Sequence, residues 1–171
     1  MNIIYDTSAR FVANDTTLWI PESYYPDKQW CKSKIGRIRK VQEIKMGGCK
    51  NFKEVIHETM HALGFLHEQQ RPDRDSYIKI DWTNLETDDL VNFRKEKGYK
   101  LNMDPTNETY IYDYYSIMHW RLNEGAKHAN KDVMTPICKV NKERITGNDL
   151  SEKDKNKLQF FYGYHNGESM F

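Results

Sequence analysis

Several features that restrict protein function are missing from this sequence of 171 residues. Neither sign of charge is in excess, since Lys and Arg number 26 against 25 for Asp and Glu. The chain therefore lacks the electrostatic field typical of proteins that bind nucleic acid or membranes. No apolar run approaches the roughly 18 residues of a membrane-spanning helix, and residues 1–6 lack the basic and apolar regions of a signal peptide. What is left is a globular chain long enough for one domain with a core.

Cysteine is also scarce, which limits the covalent and metal-binding chemistry that sulfur can supply. The chain has three cysteines, Cys31, Cys49 and Cys138, and none lies in the C-x-x-C spacing of a zinc or redox motif. Three cysteines allow one intramolecular disulfide with one thiol left over, or three free thiols in a reducing compartment. Composition alone leaves both alternatives open.

One stretch carries the strongest chemical signal, and it has the form H-E-x-x-H-x-x-G-x-x-H. His57 and His61 lie one turn apart if this stretch is helical, so both imidazoles can reach one metal ion, with Glu58 near the same site. Gly64 can adopt a left-handed conformation that ends the helix and brings His67 round as a third ligand. Three imidazoles leave the fourth position of Zn²⁺ open to water, which is the arrangement of a catalytic zinc site.

Two other interpretations of this stretch are less favourable. Chance would produce the five fixed residues in a chain of this length on the order of once in ten thousand sequences, which disfavours an amphipathic core helix that merely contains histidines. A structural zinc site normally closes its fourth position, usually with cysteine, and no cysteine lies near the stretch. The catalytic zinc site is therefore the preferred prediction.

The remaining patterns predict a mixture of short strands and two clear helices. Asn51 and Glu54 form a capping box that begins a helix over about residues 52–64, and Ser151 with Asp154 begins another that reaches about Phe161. Residues 122–147 show little periodicity and are expected to be irregular. The other predicted elements are two strands within residues 3–20, one or two within 35–46, a short strand at 77–80, an amphipathic helix over 84–97, and an aromatic segment at 110–120 that on its own suits a buried strand.

The order of these features resembles the metzincin zinc endopeptidases, and within that group the astacin family. Glu68 follows the last histidine directly, and Arg71-Pro72-Asp73-Arg74-Asp75 is similar to the astacin continuation of the motif. Residues 112–119, Tyr-Asp-Tyr-Tyr-Ser-Ile-Met-His, are similar to the astacin Met-turn, and residues 150–162 to the family's closing helix. The resemblance runs from about residue 10 to residue 162.

The resemblance implies a zinc endopeptidase acting on peptide or protein substrates, with neither nucleic acid nor membrane as a partner. One Zn²⁺ per chain would be held by His57, His61 and His67. Glu58 would serve as general base, taking a proton from water and delivering it to the leaving amine. Met118 would be the Met-turn methionine, beneath the metal. The oligomeric state, the activation route and the subsite preference are not indicated.

Two departures from the family pattern favour an alternative, a catalytically impaired pseudo-protease that binds peptides without cleaving them. Trp120 stands where the family has a tyrosine that ligates zinc at rest and stabilises the oxyanion. An indole can donate its N–H but has no lone pair for a metal. Family catalytic domains also begin some tens of residues before the position matching Arg10. We therefore expect an N-terminally shortened form in which Glu68 lacks its usual partner, the buried mature N-terminus.

The resemblance also changes the expectation for the cysteines. Cys31 and Cys49 fall where the family has a disulfide close to the substrate cleft, and closing that loop would contribute roughly 3 kcal/mol. Cys138 is expected to be a buried thiol. The resemblance and the disulfide together imply a secreted protein, although the chain shows no signal peptide.

The implied fold is α+β, of the metzincin zinc-protease type. We expect a single astacin-like catalytic domain over residues 1–171. Its upper subdomain, about residues 1–66, would contain a twisted sheet and the active-site helix. Its lower subdomain, about residues 67–171, would be mostly irregular and carry the C-terminal helix.

Overall fold

The computed structural model of the chain describes residues 10–13, 16–19, 30–37, 41–97, 111–162, 164–165 and 168–169. The chain divides into two compact units, Met1–Leu66 and His67–Phe171. Helices and strands occur in both units, which agrees with the predicted α+β class. No helix among the described residues combines the length and apolarity that crossing a bilayer demands.

The first unit contains a three-stranded sheet in the order β1-β2-β3. β1 (Arg10–Ala13) and β2 (Thr16–Trp19) pair antiparallel and confirm the two short strands predicted within residues 3–20; residues 1–9 lie outside the described part. β3 (Val41–Glu43) pairs parallel with β2. From Gln42 to Ile44 the side chains alternate buried, exposed, buried, which is the period of an extended chain with one covered face.

Helix α1 (Phe52–Ala62) follows the sheet in the first unit and begins at the predicted residue. The Asn51 side chain accepts a hydrogen bond from the backbone N–H of Glu54 at 3.1 Å, which satisfies a donor that has no partner within the helix. Ala62, at its end, packs with Ile44 and the partly buried Met46. α1 ends two residues before the predicted boundary, for a reason given by the metal centre.

The described residues of the second unit contain two small antiparallel strand pairs, one α-helix and several short 3₁₀ segments. The strand predicted at residues 77–80 is confirmed as β4 (Ile78–Ile80), which pairs antiparallel with β5 (Met134–Pro136) inside the region expected to be irregular. β6 (Tyr164–His165) pairs with β7 (Glu168–Ser169). The 3₁₀ turns are Glu68–Gln70, Arg74–Ser76, Thr87–Phe93 and Lys142–Arg144.

Two expectations from local patterns alone are wrong for the second unit. The helix expected over residues 84–97 is a 3₁₀ segment, Thr87–Phe93, with acidic residues in its first turn and one buried side chain, Phe93. The aromatic segment, described from residue 111, is not the strand that its composition alone suited but a series of turns, which agrees with the resemblance of residues 112–119 to a turn. Asp113 and Ser116 cause this, because their side chains accept backbone N–H groups two residues ahead, at 3.0 Å each, and so compete with strand pairing.

The core of the second unit collects aromatic and aliphatic side chains from the paired strands β4 and β5, the turns and the loop that follows them. Tyr112 and Tyr114 belong to it, which explains why the segment is so aromatic without being a strand. The buried members are Ile78, Leu85, Phe93, Tyr112, Tyr114, Leu122, Val133, Met134 and Ile145.

Helix α2 (Glu152–Tyr162) lies near the end of the second unit, at nearly the predicted bounds. Ser151 and Asp154 form the expected capping box: the backbone N–H of Asp154 donates to Ser151 Oγ at 2.9 Å, and that of Ser151 donates to Asp154 Oδ2 at 3.0 Å. The buried residues of α2 are Asp154 and Lys157, both charged.

Candidate metal centre

The two histidines of α1 are held as the spacing predicts, one turn apart on the same side of the helix. The ring centroids of His57 and His61 are 4.7 Å apart, with the ring planes nearly perpendicular. His61 Nδ1 lies 2.8 Å from the carbonyl oxygen of Phe65, which can only accept, so Nδ1 carries the proton and donates. The other nitrogen, Nε2, then presents its lone pair, as a metal ligand must.

Burial sets the charge of this ligand. His61 is 6% exposed, and burial, reinforced by the neighbouring His57, lowers its pKa to about 4, while the Phe65 carbonyl opposes the shift. His61 is therefore neutral at neutral pH. A neutral imidazole with a fixed tautomer fits the donor chemistry of zinc.

A glycine ends α1 and turns the chain toward the third histidine. Gly64 has φ +97°, in the left-handed region that an L side chain rarely adopts. Its N–H donates to His61 O at 2.8 Å, and the N–H of Phe65 donates to Met60 O at 3.0 Å. These two bonds form a Schellman motif, and the reversal explains why the helix stops at Ala62.

The three predicted ligands come together along this stretch of chain. His57, His61 and His67 each offer one ring nitrogen, and the three nitrogens lie within 4.8 Å of one another. His67 is 8% exposed and begins the second unit. Neutral imidazole nitrogens grouped so closely are the donor set that zinc takes in catalytic sites.

Glu58 lies directly after the first ligand and is largely buried on α1. Burial raises its pKa to about 7, with a small contribution from the nearby Glu54, while the backbone N–H of Ser33 opposes the shift. A carboxyl group with a pKa near 7 can both accept and release a proton near neutral pH. A bound cation would lower this pKa by favouring the carboxylate.

The residue after His67 is the centre of a buried ionic network in the second unit. Glu68 is 1% exposed, and its Oε1 accepts from Arg71 and from the backbone N–H of Asp113, both at 2.9 Å. Lys157 Nζ donates to Glu68 Oε2 at 3.2 Å. The N–H of Glu68 itself donates to the carbonyl of Met118 at 3.0 Å. The metal-binding loop and the turn containing Met118 are thus tied together.

Trp120 contacts a predicted metal ligand directly. Its indole Nε1–H donates to His67 Nε2 at 3.1 Å, and the two rings meet edge to face with centroids 5.2 Å apart. Phe93 also packs against the indole edge to face, with centroids 5.6 Å apart. The lone pair that accepts this hydrogen bond cannot coordinate a metal at the same time. Coordination through Nε2 therefore requires the indole N–H to move away.

The sequence did not predict the contacts that Lys157 and Ser116 make near the site. The sequence does not distinguish Lys157 from the other charged residues of α2, because nothing in its local pattern indicates that it is buried. Ser116 Oγ donates to Asp154 Oδ1 at 2.7 Å, a partner that lies 38 residues away along the chain. The capping-box pattern located Asp154 as a cap, and gave no sign of this second function.

The disulfide between Cys31 and Cys49 is present in the first unit, as the resemblance implied. The expectation for Cys138 is wrong, because its thiol is exposed instead of buried. The sulfur lies 3.3 Å from the hydroxyl of Tyr114. Cys138 meets solvent because it follows the short strand β5 in a stretch, residues 137–139, whose side chains are all exposed.

Comparison with known proteins gives a consistent result. The family model described as Astacin, a family of peptidases, matches residues 3–163. High choriolytic enzyme 1 of Oryzias latipes is 36% identical over 137 residues, which are 79% of this chain and 48% of that protein. Zinc metalloproteinase nas-13 of Caenorhabditis elegans is 41% identical over 133 residues, which are 77% of this chain and 28% of that protein.

A solved structure supports the same assignment. High choriolytic enzyme 1, a hatching enzyme zinc-protease from Oryzias latipes, matches with a TM-score of 0.71 and 31% identity, over 91% of this chain and 72% of that one. This chain thus spans less than half the length of the two curated relatives described above.

The fold and the histidine cluster together define a zinc metallopeptidase domain. Within that class, the chain belongs to the astacin family. Its metal is accordingly zinc, and His57, His61 and His67 are the residues that can hold it.

Proposed function

We propose that the chain is an astacin-like catalytic domain that hydrolyses internal peptide bonds of peptide or protein substrates. The observation that carries the proposal is the donor set: His57, His61 and His67 grouped within metal-binding reach, with Glu58 directly after the first. Zinc bound there supplies a Lewis acid and lowers the pKa of water at the site to about 7.

Glu58 is the proposed general base. Its carboxylate takes a proton from the attacking water and later delivers it to the departing amine, so one group serves both half-steps. The position on α1 supports this role, because a helix holds the carboxylate in fixed relation to the histidine before it.

The other site residues are proposed to shape the surroundings. Met118, which is 2% exposed, supports the metal from the turn whose carbonyl accepts the Glu68 N–H. Glu68 fixes the loop that carries His67. Trp120 replaces the family tyrosine and contributes its indole N–H as a hydrogen-bond donor. With one oxyanion donor weakened, we expect turnover about 10²–10³-fold below that of a tyrosine-containing relative.

The substrate approach and the compartment are also proposals. In the described sheet β3 is an edge strand, which suits an extended peptide that binds by main-chain hydrogen bonds. A disulfide between Cys31 and Cys49 is stable in an oxidising environment, which supports secretion.

A peptide-cleavage assay with a variant of the general base tests the proposal. Purified protein is incubated with zinc and a broad peptide library, and products are identified by mass spectrometry. Cleavage should stop on adding a chelator and in Glu58→Ala, while zinc content measured after dialysis stays at one per chain. The control is Glu152→Ala, an exposed glutamate on α2, which should cleave normally. Unchanged cleavage by Glu58→Ala would exclude this role.

A second candidate function is a peptide-binding module without protease activity. The hydrogen bond from Trp120 to His67 favours it, because that bond occupies Nε2, one of the two ring nitrogens through which His67 could bind zinc. The same library assay separates the two functions. Stoichiometric zinc and retained peptides, with no cleavage at any concentration of enzyme, would select the binding module.

A further inference from the structure

Helix α2 is attached to the second unit by charge. Its buried residues are Asp154 and Lys157, three positions apart and therefore on one side of the helix. Aromatic side chains of the same helix, Phe160 and Phe161, are exposed by 59% and 39%. Burying a charged group is costly unless it is paired, so each of the two buried charges requires a specific partner.

The partner of Lys157 is the residue that follows the third metal ligand. Lys157 is 5% exposed and Glu68 is 1% exposed; Nζ lies 3.2 Å from Oε2 and 3.5 Å from Oε1. Arg71 also contacts Glu68, but its guanidinium is shared with Asp73 through two further hydrogen bonds of 2.9 Å. Lys157 therefore provides charge compensation for Glu68 that Arg71 alone does not.

The contact between Lys157 and Glu68 restrains the residue directly after the metal ligand. Glu68 is bonded covalently to His67, and its own N–H is fixed on Met118 O. Its carboxylate is held from α2 by Lys157 and from the turn by the N–H of Asp113. The backbone of His67 therefore adjoins a residue restrained at both its main chain and its side chain.

The second buried charge secures the other side of the same arrangement. Asp154 Oδ1 accepts from the hydroxyl of Ser116 at 2.7 Å, and Oδ2 accepts from the N–H of Ile117 at 2.9 Å. The turn that ends in Met118 is thus held from α2 as well. One helix therefore holds both Glu68, which follows the metal ligand, and the turn to which the N–H of Glu68 is bonded.

We propose that Lys157 is a positioning residue for the metal site: through Glu68 it holds His67 in place to bind zinc. The inference rests on the proposed assignment of His67 as a zinc ligand. It adds a determinant of metal affinity far along the chain from that ligand, in a helix that contributes no ligand itself. Outer-shell contacts of this kind commonly change metal affinity by about 10–100-fold.

The test measures zinc affinity by competition with a chromophoric chelator, which needs no peptide cleavage. Lys157→Met removes the charge and keeps the length of the side chain, and should weaken zinc binding about 10–100-fold. Lys157→Arg restores a cation and should recover most of the affinity. The matched control is Lys155→Met, because Lys155 lies on the same helix and pairs with Glu152 at the surface. Its zinc affinity should equal that of the wild type.

A purely structural role predicts a different result. Lys157→Met would then lower the urea midpoint of the zinc-free protein while the folded protein bound zinc with wild-type affinity, and the proposal would be overturned. An equal loss of affinity in Lys155→Met would overturn it too. If Lys157→Met does not fold, Lys157→Gln decides, because its amide is uncharged and one methylene shorter, so it cannot replace the ion pair with Glu68. Weakened binding by Gln supports the proposal, and wild-type binding refutes it.

The outcome is separable from that of the proposed function. A protein that binds zinc normally but cleaves no peptide would contradict the proposed peptidase and leave the positioning role intact. A protein whose zinc affinity does not depend on Lys157 but whose peptide cleavage depends on Glu58 would contradict the positioning role and leave the proposed peptidase intact.

Discussion

Replacing Asp154 by alanine should destabilise the protein more than any exposed acidic substitution. Its carboxylate accepts from the Ser116 hydroxyl and the Ile117 N–H, and both of these residues are fully buried. A buried donor that loses its acceptor costs about 1–3 kcal/mol, so the two together cost about 2–6 kcal/mol. The third donor, the N–H of Ser151, is half-buried and can turn to water at less expense.

An opposing contribution reduces the expected loss. Burial raises the pKa of Asp154, although the hydrogen bonds from Ser116 and Ile117 oppose the shift, so the carboxylate is not fully compensated where it lies. Removing it relieves that penalty, and we expect a net loss of about 3–4 kcal/mol for Asp154→Ala. Asp154→Asn keeps one acceptor oxygen and should lose about half as much.

Urea unfolding with chelator in excess measures these values without any contribution from bound metal. The control is Asp132→Ala, whose carboxylate is 41% exposed and makes one long ion pair with Lys142 at 3.5 Å. It should change stability by less than about 0.5 kcal/mol. A loss below about 1 kcal/mol for Asp154→Ala would refute the view that this residue anchors the turn.

The pH dependence of stability provides an independent check on the direction in which the pKa of Asp154 is shifted. Because the pKa of Asp154 is raised in the folded protein, the folded state binds a proton more readily than the unfolded chain does. The stability that Asp154 contributes relative to asparagine is then fully present below its ordinary pKa of 3.8, and falls as the pH rises through the folded value. A stability advantage of wild type over Asp154→Asn that widens with rising pH would contradict this.

Two further predictions concern the disulfide and the substituted tyrosine. Replacing Cys31 and Cys49 together by serine opens a loop with a sequence separation of 18 and should cost about 3 kcal/mol in urea unfolding; a loss under about 1 kcal/mol would show that the loop is restrained without it. Trp120→Tyr should raise kcat on a fluorogenic peptide by about 10²-fold, because it supplies a phenol in place of the indole. Trp120→Phe, which packs similarly but donates nothing, should show no gain.

The sequence predicted α1 well because the signals for it are local. The cap at Asn51, the glycine at position 64 and the one-turn spacing of the histidines all act within a few residues of one another. Each feature decides the conformation of its own neighbourhood, and tertiary contacts do not need to be known. The histidine spacing therefore led directly to a metal site.

The aromatic segment shows why composition misled. Tyr112, Tyr114 and Tyr115 favour a strand by propensity, since aromatic residues are common in sheets. Asp113 and Ser116 outweigh that preference by binding backbone N–H groups in turns. The residues that decide the structure were present in the pattern, but propensity alone gave more weight to the aromatic ones.

The contact that ties α2 to the metal-binding loop could not be predicted from the sequence. The pair of Lys157 and Glu68 joins positions 89 residues apart, and both residue types are usually exposed. A lysine in an otherwise solvated helix is expected to be at the surface, as Lys155 is. Only the folded chain distinguishes the two.

The parallel pairing of β2 with β3 bears on the order of events when the chain folds. β2 ends at Trp19 and β3 begins at Val41, so their pairing closes a long segment before its hydrogen bonds can form. The entropy lost in that closure makes the pairing slow compared with the growth of α1, whose bonds join residues four apart. β3 also lies inside the loop closed by Cys31 and Cys49. Formation of the disulfide restricts the conformations that β3 samples, so fewer of them compete with the one that pairs with β2.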